Sequence, residues 1–237
     1  MAGINKNDRH HFLNGPRSFC PRQAPSTFDA EQNPMEMKQF NKYRLIILIL
    51  LLPGFFVGPV VAQGNYKLAG AKPSKLSVLG TSNVHDWTMT ATEMESQGDF
   101  RLNASGQLVA VNALSFSMND KSLKSGHDSM DDRTYNTMKA DRFPKVTYQL
   151  SNETVTALPG NRYEIRANGQ LSIAGVTRPV TLNVTAAVDA AGTITCTGSE
   201  PVKLSDYGIN PPTFMLGALK VKNDLNIQFE LNYEPIH

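Results

Sequence analysis

The last stretch of the chain constrains its fold more than any other. Leu219, Val221, Leu225, Ile227, Phe229, Leu231 and Tyr233 all occupy odd positions, while Lys220, Lys222, Asp224, Asn226, Gln228, Glu230 and Asn232 occupy even ones. Successive side chains of a strand point to opposite faces, so this segment spells a long strand with one dry face and one wet face. The period of two recurs upstream. Tyr163, Ile165, Ala167, Leu171 and Ile173 alternate with Arg162, Glu164, Arg166 and Gln170, and Val180, Leu182, Val184, Ala186 and Val188 alternate with Thr181, Asn183 and Thr185. Val146, Tyr148 and Leu150 give a further run, and Ile194, Cys196, Val202 and Leu204 a weaker one.

Turn chemistry separates these runs at Leu158-Pro159-Gly160-Asn161, Ala174-Gly175 and Asp189-Ala190-Ala191-Gly192. The spacing predicts about eight consecutive, hairpin-linked strands near 75–83, 86–102, 107–118, 145–157, 162–174, 177–189, 192–206 and 219–233. Within 86–102 the apolar parity slips from odd (Trp87, Met89, Ala91) to even (Met94, Phe100, Leu102), which signals a bulge or bend. One segment breaks the period. From Ser129 to Ala140, Met130, Thr134 and Met138 recur at helical spacing, with Asp131 and Asp132 in the first turn and Ser129 as the expected cap. Long alternating strands with one short helix leave a two-sheet sandwich or an antiparallel barrel, and consecutive hairpins favour an all-β, eight-stranded barrel. Such a barrel is either filled by its side chains or holds one small ligand.

The N-terminal quarter reads differently. Residues 1–34 are polar and aperiodic, as expected of a disordered leader or a mis-assigned start, with Met35 or Met37 as the natural beginning. Lys38, Lys42 and Arg44 precede the apolar run Leu45 to Val57, and Val60-Val61-Ala62 ends it with small residues. That succession over 35–62 is the signature of a secretory signal peptide, a retained membrane anchor being the alternative. Export with cleavage near Ala62 would leave 63–237 as the mature domain, periplasmic or secreted. Residues 1–62 hold seven of the 23 Lys and Arg and four of the 21 Asp and Glu, leaving 16 basic and 17 acidic side chains. No basic stripe remains to suggest nucleic acid as a partner. Cys20 falls in the leader, so Cys196 stands alone and is expected to be a buried, inert thiol.

Several motifs then fall into a familiar order. Gly80-Thr81-Ser82-Asn83-Val84-His85-Asp86-Trp87 opens the domain. Leu123-Lys124-Ser125-Gly126 and Phe143-Pro144-Lys145-Val146-Thr147-Tyr148 flank the helix, and Gly169-Gln170-Leu171-Ser172-Ile173-Ala174-Gly175-Val176-Thr177-Arg178-Pro179-Val180 spans the central hairpin. Together these resemble the YceI-like family of bacterial periplasmic proteins over roughly residues 66–233. At Asp206-Tyr207-Gly208-Ile209 a Tyr stands where that family usually has Phe. The resemblance implies a lipocalin-like antiparallel barrel that binds a polyisoprenoid or other long-chain lipid, with no catalytic residue to carry over.

The residue supply agrees with binding rather than catalysis. Past residue 62 the histidines are His85, His127 and the terminal His237, with no His-x-x-x-His or Cys-x-x-Cys pair for zinc. No nucleophile elbow or phosphate-cradling glycine loop is present, and no cofactor is expected. His85-Asp86 could be an oriented base, but reads better as a turn at a strand start. Candidate lining of an apolar tunnel comprises Trp87, Met89, Phe116, Met118, Met138, Tyr148, Leu171, Ile173, Leu182, Val184, Ile227 and Phe229. Arg178 and Asn223 break the dry faces and are candidates for a ligand's polar head, since a buried polar group needs a partner; a solvated rim and a strand bend are the plainer readings. Phe214, Met215 and Leu216 follow Pro211-Pro212 in a long loop and are expected either to plug one barrel end or to form a portal that touches a membrane in passing. The rival to lipid binding is a filled barrel serving as a structural or interaction module of the cell envelope.

Overall fold

The computed structural model describes residues 62–236, so the leader and most of the export segment expected over 1–62 lie outside the described residues. Twelve strands and one α-helix form in the order β1 (Ala62–Leu68), β2 (Lys75–Ser82), β3 (Asp86–Ala91), β4 (Met94–Leu102), β5 (Leu108–Asn119), β6 (Leu123–Lys124), α1 (Asp128–Met138), β7 (Lys145–Leu158), β8 (Arg162–Ile173), β9 (Val176–Val188), β10 (Ile194–Lys203), β11 (Thr213–Phe214) and β12 (Leu219–Pro235). Every pairing is antiparallel.

The strands make eight staves of a closed barrel. Along one edge of β12, Tyr233–Pro235 pair with β1 and Val221–Glu230 pair with β2, so β1 and β2 act as one interrupted stave. β3 pairs with β2 and β4 with β1, so they form the next stave, broken at Thr92-Glu93 where the parity slips. The remaining staves follow as β5, β7, β8, β9, β10 and back to β12. Consecutive hairpins close the sheet on itself, as a barrel requires, although not every pair of neighbours is bonded along its whole length. β1 was not among the expected strands. Its seven residues offer only Tyr66 and Leu68 as an alternating apolar pair, too little to register as a pattern.

The turns behave as their residues dictate. Ala174 and Gly175 both take positive φ, 49° and 80°, in the two-residue β8–β9 hairpin. A side chain at Gly175 would also strike the Phe143 ring, which leans against it. The helix departs from expectation at its start. It begins at Asp128, with His127 in the cap position and no side-chain cap, so Ser129 lies inside the first turn. The Asp131 carboxylate does the anchoring instead, accepting from both the backbone N–H and the hydroxyl of Ser125 at 2.8 and 2.7 Å. Burial pushes its pKa up, but these bonds and Lys124 Nζ at 3.5 Å outweigh that and hold it below the ordinary carboxylate range. No described helix is long and apolar enough to cross a membrane.

Candidate functional site

The barrel interior is not uniform. At one end Tyr66, Phe100, Leu108, Tyr163, Ile165, Ala186, Val188, Ile194, Leu231 and Tyr233 close into a packed core. The Phe100 ring meets Tyr66 edge-on at 5.3 Å and Tyr233 at 5.0 Å. The Tyr233 hydroxyl is satisfied by Ser96 Oγ at 2.9 Å, and burial raises its pKa. Cys196 belongs to this floor; it is free and buried, and burial pushes its thiol up to about 12.

Toward the other end the barrel is hollow. A cavity of about 470 Å³ runs from this floor to α1, within the range of roughly 300–1,000 Å³ usual for ligand sites. All the expected lining positions, from Trp87 and Met89 through Met138 and Tyr148 to Ile227 and Phe229, face it. Three of its aromatic rings lie over glycines in the wall. Added β-carbons at Gly80, Gly169 and Gly198 would fall 2.1, 2.5 and 2.4 Å from atoms of Trp87, Tyr148 and Phe229. The pairs Gly80–Trp87 and Gly198–Phe229 are direct cross-strand partners. Two rings of the packed end, Tyr66 and Phe100, lie over Gly64 and Gly98 in the same way, but there the rings also meet one another. Nothing in the period-two pattern showed that arrangement.

Helix α1 covers the hollow end. Met130, Arg133, Thr134, Thr137 and Met138 face the cavity, and Thr134 Oγ1 donates to Met89 Sδ at 3.3 Å. The loop before β12 completes the cover. The half-buried Phe214 ring borders the cavity and carries the Arg133 guanidinium 4.6 Å from its centre. Leu216 instead points fully into solvent with φ 55°. The apolar trio therefore splits, with Phe214 inward and Leu216 outward.

Arg178 and Asn223 are not brought to the cavity. Arg178 is exposed and its Nε donates to the Asp206 carbonyl at 2.9 Å. Asn223 sits at the irregular register between Val221 and Leu225, and its amide exchanges hydrogen bonds with the Ser205 N–H and hydroxyl at 2.9 and 3.0 Å. Both tether the short 3-10 turn Leu204–Tyr207, which lends Leu204 and Tyr207 to the lining. The parity that placed Arg178 inward fails because the end of β9 has left its neighbour.

That departure opens the wall. β8–β9 and β10–β12 pair along their whole lengths, but β9 and β10 pair only from Ile194–Val188 to Gly198–Val184. Beyond Gly198 the strands splay around a notch lined by Arg178, Pro179, Thr181, Glu200, Pro201 and Lys203. Pro179 and Pro201 lack the N–H that a ladder uses, one on each lip. Glu200 borders both the notch and the main cavity. Sequence reading passed it over, although it shares inward parity with Cys196 and Val202.

Catalytic geometry is sparse by comparison. His85 and His127 are exposed at the cavity rim, and His85 Nδ1 lies 2.8 Å from the Asp86 carbonyl oxygen rather than its carboxylate. Among the described residues no three His, Cys, Asp or Glu side chains gather as a metal site would need. Trp87 Nε1 is buried with no acceptor among the described residues.

These features define a lipocalin-type barrel with an apolar interior chamber. The sequence model of the YceI-like domain matches residues 62–233, and the chain belongs to the YceI-like family. No curated protein matches it. BcnA of Burkholderia cenocepacia shares the fold at a TM-score of 0.56 and 21% identity, over 70% of this chain and 98% of that one. A polyisoprenoid-binding domain from Saccharophagus degradans, implicated in plant cell wall breakdown, does so at 0.57 and 14%, over 74% and 100%.

Proposed function

We propose that the domain is a non-catalytic carrier of one long-chain apolar ligand, a polyisoprenoid or similar amphiphile, held in the hollow half of the barrel. The observation that carries this reading is the chamber of about 470 Å³, walled almost wholly by carbon. Burial of hydrocarbon there supplies the affinity at about 0.8 kcal/mol per methylene, so ten to fifteen methylenes give roughly 8–12 kcal/mol before association costs. The polyisoprenoid-binding neighbour with the same fold supports the choice of ligand class. Trp87, Met89, Phe116, Met118, Met138, Tyr148, Leu171, Ile173, Leu182, Val184, Ile227 and Phe229 hold the chain of the ligand, and Phe214 with α1 forms the cover that parts for it. In this reading the solvent-facing Leu216 touches a membrane surface during loading, and its exposure supports that.

The protein works outside the cytoplasm in this reading, after cleavage near Ala62, and the basic-then-apolar succession from Lys38 supports that. N-terminal sequencing of protein from its native host tests it, with Gln63 expected first and an intact residue 1 counting against export. For the ligand, mass spectrometry of an organic extract of the purified protein should return a reproducible long-chain lipid. An extract without one, from protein that also binds no added lipid, favours the envelope structural module instead.

A further inference from the structure

Glu200 is the one acid on the inward face of β10, and it lies where β9 and β10 splay apart. It has no salt bridge and no side-chain hydrogen bond among the described residues. Its cross-strand partner on β12 is Ile227, and the groups beside it are the Tyr148 and Tyr207 rings. The two basic groups of the notch, Arg178 and Lys203, make no ion pair with it, and Arg178 Nε donates to the Asp206 backbone carbonyl. We propose that Glu200 is a head-group site: it accepts a hydrogen bond from the polar end of the ligand, an alcohol or an amine, while the tail fills the chamber. The inference rests on the lipid-carrier reading and adds to it the class of head group.

The physical reason is the cost of an unpaired acid in an apolar wall. A half-buried carboxylate without a donor loses part of its hydration and gains no partner in exchange, and burial accordingly raises the Glu200 pKa. A ligand hydroxyl or ammonium restores the missing partner. A ligand carboxylate or phosphate brings a second negative charge beside Glu200 and is disfavoured at that carboxylate, Arg178 and Lys203 on the notch being the groups that would draw it elsewhere. The splayed seam gives the head group room at the wall and contact with water, so it need not be fully desolvated.

The test uses delipidated protein and four probes with one tail: hexadecan-1-ol, hexadecylamine, hexadecanoic acid and hexadecyl phosphate. The expected result for the wild type at neutral pH is that the alcohol and the amine bind at least tenfold more tightly than the acid and the phosphate ester. Glu200→Gln keeps a carbonyl acceptor, so alcohol binding should hold while amine binding falls about tenfold and the preference against the acid disappears. Glu200→Leu should weaken alcohol and amine together and leave the acid no worse. The ranking in the wild type needs no variant, so a folding defect in either does not rescue the idea. If all four probes bind and the ranking is flat, or favours the anions, the head-group assignment fails while the chamber stands. If none of them binds, the lipid-carrier reading fails and the assignment with it.

Discussion

The two ends of this barrel are built from the same alternating strands and do opposite things with them. At the closed end large side chains point at one another: the Phe100 ring meets Tyr66 edge-on and Tyr233 at a tilt, about 5 Å apart, and together they make the chamber's floor. In the hollow half the wall offers rings just as large, with Trp87, Tyr148 and Phe229 lying across Gly80, Gly169 and Gly198 and facing the chamber. Glycines lie beneath rings at the closed end too, Gly64 under Tyr66 and Gly98 under Phe100, so the difference teaches that binary pattern sets which side of a strand is dry, whereas which rings meet across the barrel sets whether the dry side is filled. Close packing is the default of a protein interior, so a chamber has to be held open by its walls.

The contrast predicts its largest effect at the floor. Phe100 is 1% exposed and enclosed by rings on both sides. Phe100→Ala should cost about 3–5 kcal/mol in urea denaturation. Phe116 is equally large but half-buried, with the chamber on one face, so in ligand-free protein Phe116→Ala should cost only about 1–2 kcal/mol. Ligand should widen the gap between wild type and Phe116→Ala, because only the wild type keeps that wall contact. Equal costs in the ligand-free state would mean the chamber collapses in solution.

The glycine argument can be broken directly. Gly80→Ala puts a β-carbon within 2.1 Å of the Trp87 ring, so the indole must swing off the wall into the lumen. Overpacking of this kind costs about 1–3 kcal/mol. Trp87 is the chain's single tryptophan, so its fluorescence reports the movement without ambiguity. Lipid capacity should fall along with the spectral change. A variant with unchanged emission and unchanged binding would show that the ring does not depend on the glycine.

A third difference is electrostatic. The hollow half carries Asp120, fully buried in the turn after β5, where the one group among the described residues that favours its charged form is the backbone N–H of Val146. Burial pushes its pKa from 3.8 to about 6, and the facing Val146 N–H pulls it back only in part. Because the folded pKa lies above the unfolded one, the folded state holds the proton more tightly. The resulting stability is fully present below about pH 4 and is lost as pH rises through about 6. Asp120→Asn should therefore raise stability at pH 7–8 by roughly 1–3 kcal/mol and flatten the profile between pH 4 and 6. A wild-type profile already flat across that window would mean that Asp120 finds a partner in solution.

Much of this architecture can be read from alternation, and the exceptions have physical causes. The odd positions of β12 and the parity slip before Met94 mark the last stave and the broken one. Alternation also puts the lining residues on one side, because sidedness is local information. It could not tell a filled end from a hollow one, since that depends on which rings meet across the barrel. It put Arg178 inward by counting from Val180, but the β9 end has lost its β10 neighbour and that side chain turns to Asp206. The same counting marked Glu200 as inward, and the charge itself led to its neglect. Pro179 and Pro201 were visible hints that the two strands part there. β1 and the burial of Asp120 have no local signature, because both are imposed by partners far along the chain.

The smallest expected effect separates the two neighbours in the covering loop. Leu216 is fully exposed and touches no part of the chamber, so Leu216→Ser should change stability by less than about 0.5 kcal/mol. Phe214→Ser removes a half-buried ring and its contact with Arg133, at a cost of about 1–2 kcal/mol. Their effects on lipid exchange should part in the other direction. Removing Phe214 loosens the join between the loop and α1, so a bound fluorescent lipid should leave faster whether or not vesicles are present. Removing Leu216 should leave spontaneous release untouched and slow only transfer from vesicles, because its side chain can matter only to something outside the protein. Stopped-flow transfer measured with and without vesicles reads both rates. If Leu216→Ser transfers lipid from vesicles at the wild-type rate, the loop tip does not meet the membrane, and Phe214 alone marks the cover.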